Sequence, residues 1–224
     1  MSGHCVMIGD IKGSSDLDEW GSVFEKLQAA LKQINREFSH DILVEFVPTA
    51  GDEFQGALRD PKHAYAVYVS IKGGLPVGFY CGIGIGDIER PLDADIGMRG
   101  NAFYRARSAL EFCKKRKRNV VLRSSDTTSL ADDTINTLLH FIEVMENSWT
   151  KRQREVLSFY RSHPVYTHER LGRHFGISKQ AVGQILKAGD WEVISAGGDV
   201  VNELLGRMPM WRDECKGEEL YTRK

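Results

Sequence analysis

The sequence predicts an α+β fold followed by a small all-helical unit, and three observations carry that expectation. Strand-like and helix-like hydrophobic periods alternate as far as Ser124, and only helix-like periods follow. The charge changes sign between the two parts. Residues 1–145 carry 17 Lys+Arg against 20 Asp+Glu, whereas residues 148–189 carry eight basic side chains against two acidic ones. The boundaries follow: a sheet-and-helix domain over 1–130, a connecting helix over 131–148, a helical domain over 149–210 and a polar tail over 211–224.

The first strand is His4-Cys-Val-Met-Ile-Gly9, running straight into Asp10. Leu17, Trp20, Phe24, Leu27, Leu31, Ile34 and Phe38 recur at steps of three and four, which predicts a long amphipathic helix ending before Asp41. A hairpin follows, with Ile42-Leu-Val-Glu-Phe-Val47 going out, Thr49-Ala-Gly51-Asp52 turning and residues 53–58 returning. Pro61 occupies a natural first helical position for a helix over 62–72, stopped by Gly73-Gly74. Residues 77–88 form a long strand in which Gly82, Gly84 and Gly86 leave one face bare. Such a stripe marks close approach, either by a ligand or by the helix expected over 101–117. A further strand spans 119–124. The order is that of a split βαβ, ferredoxin-like (βαββαβ) sheet with later additions and helices on one side. Lys114-Lys-Arg-Lys-Arg118 ends a helix, where it is either a solvated terminus that suits the helix dipole or a phosphate or DNA contact. Ile135, Leu138, Leu139, Ile142, Val144 and Met145 mark the connecting helix, which joins the two parts or pairs with its copy.

In the second part Thr150 caps a helix, with Gln153 at the capping-box position. The stretch from His168 to Lys187 then meets the requirements of a helix-turn-helix one after another. Gly172 is small where two helices cross and Gly176 permits a left-handed turn, while Leu171, Phe175, Ile177, Val182 and Ile185 face a shared core. Ser178 caps the second helix, whose outward residues Lys179, Gln180, Gly183, Gln184 and Lys187 suit base edges and phosphates in a major groove. The DNA-binding set expected is Ser178, Lys179, Gln180, Gln184 and Lys187. The alternative is a helical hairpin used for dimerisation. A closing helix over 199–207 covers Trp191, and the last residues, from Arg212 onward, read as frayed.

Two carboxylate motifs carry the chemistry of the first part: Gly9-Asp10-Ile11-Lys12-Gly13 and Gly51-Asp52-Glu53-Phe54. One carboxylate ends the first strand and the other lies in the turn of the next hairpin, so the pair can converge on a divalent metal that carries a triphosphate. Gly-Asp pairs also cap turns, in which case the domain is a dimerising scaffold. The segments resemble those of class III nucleotide cyclases and GGDEF diguanylate cyclases. That resemblance implies Mg²⁺ or Mn²⁺ on Asp10, Asp52 and the Ile11 carbonyl. It implies a nucleotide held by Asn101 and Arg105, with Asn101 orienting the ribose and Arg105 steadying the triphosphate. Lys12 adds a cation beside the same motif. Together with Gly82-Ile-Gly-Ile-Gly-Asp87 and Ala102-Phe-Tyr-Arg-Ala-Arg107, the pattern looks closest to the SatD family, which is related to the cyclase-like fold and often carries a C-terminal helix-turn-helix. The chain departs from the cyclase pattern at Lys12, at Ser14 in place of an aromatic, and at Ala50 in place of a glycine.

Composition narrows the classes. A hydrophobic content of 42% and a charged content of 27% are globular values. No apolar run spans a bilayer and no secretory pattern opens the chain, so a cytoplasmic protein with no membrane partner is expected. Cys5, Cys81, Cys113 and Cys215 show no zinc spacing and read as reduced thiols. The leading expectation is a homodimeric DNA-binding regulator with a nucleotide and a divalent cation as ligands. The rival is an active cyclase or nucleotide triphosphate hydrolase that its helix-turn-helix only localises.

Overall fold

The computed structural model describes residues 3–16, 19–49, 51–89, 99–127 and 129–218. Five strands, β1 (His4–Ile11), β2 (Ile42–Pro48), β3 (Glu53–Leu58), β4 (Phe79–Gly86) and β5 (Val120–Arg123), form one sheet in the order β2-β3-β1-β4-β5. The pairs β1–β3, β1–β4 and β2–β3 are antiparallel, which is the expected split βαβ core, and β5 adds parallel to β4. Helices α1 (Trp20–Glu37) and α2 (Ala64–Gly74) pack on one face through Leu27, Leu31, Ile34, Val67 and Ile71, against Cys5, Met7, Ile11, Phe54 and Ile83.

The expectation of helices on one side is corrected by α3 (Asn101–Arg116). Its Ala102, Ala106 and Leu110 pack on Val6, Ile8 and Ala57, the opposite face. Strands β3, β4 and β5 run parallel to one another and step the same way across the sheet, yet α2 and α3 lie on opposite faces. The two crossovers therefore have opposite hands, against the strong right-handed preference of such units. The glycine stripe explains how α3 is accommodated. A methyl group added at Gly82 would lie 2.5 Å from Leu110 N, and one at Gly86 would lie 2.8 Å from Ala102 N. Of the two readings of that stripe, helix packing is the one found.

Both sheet edges are closed by an asparagine. The Asn35 side chain of α1 donates to Phe46 O at 2.9 Å and accepts from Phe46 N at 2.8 Å on β2. Asn136 does the same for Leu122 on β5, at 2.8 and 2.7 Å. At each edge an amide side chain thus takes both backbone hydrogen bonds of one residue, as a neighbouring strand would.

Helices α4 (Leu130–Asn147), α5 (Lys151–Ser162), α6 (His168–Phe175), α7 (Lys179–Ala188) and α8 (Trp191–Glu218) complete the chain. Ile135, Leu139 and Ile142 of α4 belong to the same buried cluster as the α1 and α2 residues, and so do Val156, Leu171, Val182, Ile194 and Leu205. Buried Glu146 on α4 pairs with Lys72 of α2 and, at 2.6 Å, with Arg161 of α5. Burial pushes its carboxyl up, but the two cations outweigh this and hold it below the usual carboxylate range. The Trp149 indole N–H donates to Gly189 O at 3.0 Å, which ties the α4–α5 turn to the end of α7.

Two expectations at the C-terminal end change. The closing helix does not start near Asp199: α8 begins at Trp191 and continues through Gly197-Gly198 to Glu218. Gly197 faces Ile142 and Gly198 faces the Tyr65 ring, so small residues there seat the helix rather than break it. Residues 212–218 of the expected frayed tail are helical.

Candidate functional site

The β1–β3 register sets the geometry of the carboxylate corner. Asp10 pairs directly with Glu53, and on its other side with Tyr80 of β4, so these three side chains share the α3 face of the sheet. Asp52 sits one residue earlier, in the turn, where its carbonyl accepts from Ile11 N at 3.1 Å and extends the ladder. Asp10, Asp52 and Glu53 are thereby gathered at one corner, the end of the sheet that lies under the C-terminus of α3.

Each carboxylate there has a protein partner. Lys114 donates from its ammonium to Asp10 Oδ2, and Ser14 donates its hydroxyl to Asp52 Oδ2. Arg107 Nη1 reaches Glu53 Oε1 and Oε2 at 2.7 and 2.8 Å. Asp10 itself is buried. Burial pushes its carboxyl above the ordinary range, Lys114 opposes the push, and the charges of Asp52 and Glu53 add to it. Lys12 turns the other way: its ammonium donates to Asn119 Oδ1 and lies 4.4 Å from the centre of the Tyr80 ring. Burial pulls the Lys12 ammonium down, and Glu143 opposes that pull.

The other half of the expected nucleotide set lies elsewhere. Arg105 donates from Nε and Nη2 to Asp126 at 2.9 and 3.0 Å, and from Nη1 to Ile85 O at 2.8 Å. Asn101 begins α3 and is exposed. At 1.5 Å per residue, Arg105 is about 14 Å of helix axis from Lys114, so Asn101 and Arg105 do not meet Asp10 and Asp52 within one chain. Ala50, the expected departure in the hairpin turn, lies outside the described residues.

Sequence reading did not bring Lys114 or Arg107 to this corner, and left Glu53 open between a third ligand and a hairpin hydrogen-bonding partner. The signal was present in part, because a helix seated on Gly82 and Gly84 must carry its last turn over Tyr80 and Asp10. Of the five consecutive cations, Lys114 holds Asp10, Arg116 lies over Phe112, Lys117 lies over Tyr80, and Arg118 donates to Asn136 O at 2.8 Å. Residues 114–117 are nonetheless all exposed, so the solvated-terminus reading fits the run, with Lys114 and Arg118 also making specific contacts.

The donor chemistry of the corner suits a hard divalent cation, since it offers carboxylate oxygens and the Ile11 carbonyl. Among the described residues no group of three or more His, Cys, Asp or Glu side chains is arranged to enclose a metal. Magnesium is commonly held by one or two carboxylates plus substrate phosphates, so an open two-carboxylate corner fits it, provided Lys114 leaves Asp10.

The second candidate surface is on α7. Ser178 accepts from Ala181 N at 3.1 Å and caps the helix, and Lys179, Gln180, Gln184 and Lys187 are all exposed. Gly176 is in the left-handed region at φ 65°. A methyl group at Gly172 would lie 2.6 Å from Ile177 O, so the turn back onto α6 requires a glycine there. Val182 and Leu186 anchor the opposite side of α7. Among the described residues no helix is long and apolar enough to cross a membrane.

Two solved structures, both of a bacterial light-regulated adenylyl cyclase, are similar to this chain. One is 11% identical at a TM-score of 0.42, covering 54% of this chain and 75% of that one. The other is 13% identical at a TM-score of 0.41, covering 54% of this chain and 43% of that one. No curated protein matches the sequence. Residues 4–204 match the SatD family, nearly the whole described length, and the chain belongs to that family.

Proposed function

We propose that this protein is a DNA-binding regulator whose sheet domain binds a nucleotide together with Mg²⁺ or Mn²⁺. The observation that carries the DNA half is the outer face of α7, where Lys179, Gln180, Gln184 and Lys187 are exposed on a capped helix anchored by Val182 and Leu186. Amide and cationic groups in that arrangement match the donor and acceptor pattern of a major groove, and the excess of basic residues over 148–189 supplies phosphate contacts.

The ligand half is supported by three carboxylates, Asp10, Asp52 and Glu53, gathered at one corner where Lys114 holds Asp10. Asp10, Asp52 and the Ile11 carbonyl would hold the cation, which would neutralise triphosphate charge. Asn101 and Arg105 lie too far along α3 to serve the same nucleotide within one chain. A site that uses both groups is built between two copies, and a dimer also gives two α7 helices for paired half-sites.

The test is a gel shift at fixed salt with duplex DNA from beside the protein's own gene. Wild type should prefer that duplex over a scrambled one, and the Lys179→Ala/Gln180→Ala variant should lose the preference. Equal, weak binding of wild type to both duplexes contradicts the regulator reading.

A further inference from the structure

We propose that Lys114 is a resident cation that competes with the divalent metal for Asp10, so that metal enters only as the ammonium leaves and the freed Lys114 turns to the phosphates of the nucleotide. This rests on the metal reading above and adds its regulation.

Three features of the fold point to it. First, the position of Lys114 along the sheet is fixed. Ala102, Ala106 and Ala109 of α3 are fully buried, and the helix lies so close to β4 that no side chain fits at Gly82 or Gly84. The backbone under Lys114 therefore has no freedom to slide toward or away from Asp10, and only the side chain can exchange partners. Second, that side chain has a way out. It is 43% exposed while the Asp10 side chain is 12% exposed, so the ammonium can swing into water and the carboxylate cannot. Third, the charges at the corner need a cation. Asp10, Asp52 and Glu53 carry three negative charges against the two positive charges of Lys114 and Arg107. Arg107 is committed to both oxygens of Glu53, whereas Lys114 is a single flexible point charge, the partner that a metal ion most readily replaces.

Metal alone must break the Lys114–Asp10 pair to bind. Metal that arrives with a polyphosphate gives Lys114 a new anion, so the two ligands favour each other by linkage. An empty protein is thereby kept from binding free divalent cations, and metal occupancy reports the nucleotide.

The experiment titrates the full chain with Mn²⁺ alone, followed by electron paramagnetic resonance of the free ion. The proteins are wild type, Lys114→Met, Lys114→Gln, Lys115→Met and Asp10→Asn/Lys114→Met. Both Lys114 variants should bind Mn²⁺ at least about tenfold more tightly than wild type, the size of effect expected from removing a competing charge pair. Lys115→Met removes the same charge one residue away and should match wild type. The double variant should lose the gain. Equal affinity of wild type and the Lys114 variants overturns the competition and leaves the metal site standing, as does an equal gain in Lys115→Met. No Mn²⁺ binding by any of the proteins overturns the metal reading and this inference with it.

Discussion

Asp10 is a buried carboxylate whose charged form the fold disfavours, a common property of groups kept for function rather than stability. The sign of its pH effect follows from the direction of its shift. Its folded pKa lies above the unfolded value of 3.8, so the folded chain binds that proton more tightly. Asp10 therefore costs stability at neutral pH, and the cost disappears as pH falls through the folded value toward 3.8. Asp10→Asn should raise Tm at pH 7 by roughly 2–4 °C, the shift that about 1 kcal/mol produces in a chain of this size. Thermal melts across pH should show that gain vanish in acid, and a loss of Tm at pH 7 would contradict it. At this scale the sequence was informative where a residue's role is local. The Thr150–Gln153 capping box forms, Ser178 caps α7, and Gly176 takes the left-handed conformation. Glu53 and Lys114 were hidden because their place beside Asp10 depends on strand register and on where α3 crosses the sheet, neither of which adjacent letters encode.

Among the secondary-structure elements, periodicity located strands and helices to within a few residues, as in the expected 53–58 return strand. It failed where packing overrode a local signal. Gly197-Gly198 would weaken an isolated helix, yet α8 runs through both because Ile142 and Tyr65 press close there. The face taken by α3 was illegible for a related reason: the ferredoxin-like layout gave one side, and the glycine stripe on β4 offers the other. The two asparagine edge caps give a direct test of how the sheet is finished. Asn35→Ala and Asn136→Ala each remove two hydrogen bonds from a strand backbone and should each cost about 2 kcal/mol in urea unfolding. The sites lie at opposite edges, so the double variant should show the sum. A double variant no worse than either single one would contradict independent caps.

Across the whole molecule, the Glu146 cluster joins α2, α4 and α5, and so ties the sheet domain to the helices that carry α7. Its lowered pKa makes it stabilising above the unfolded value of 4.5 and progressively lost as pH falls below that through the folded value. Glu146→Gln leaves Arg161 and Lys72 facing each other without their anion and should cost about 3 kcal/mol at pH 7, with the difference from wild type shrinking in acid. Chemical unfolding at pH 7 and at pH 3 checks both parts. On the proposed function, the same junction would be the route by which a ligand at the carboxylate corner biases α7, since α2 and α5 meet at Glu146. The central claim of the proposed function is that binding of metal and nucleotide at the corner would change the affinity of α7 for DNA. It is tested most directly by fluorescence anisotropy of a labelled duplex from beside the protein's own gene, titrated with and without Mn²⁺ and a nucleoside triphosphate at constant ionic strength. The account predicts a shift in DNA affinity of at least about fivefold, the lower end of common allosteric coupling, and no shift in Asp10→Asn. An unchanged affinity in wild type, under conditions where Mn²⁺ and nucleotide are measurably bound, would contradict it.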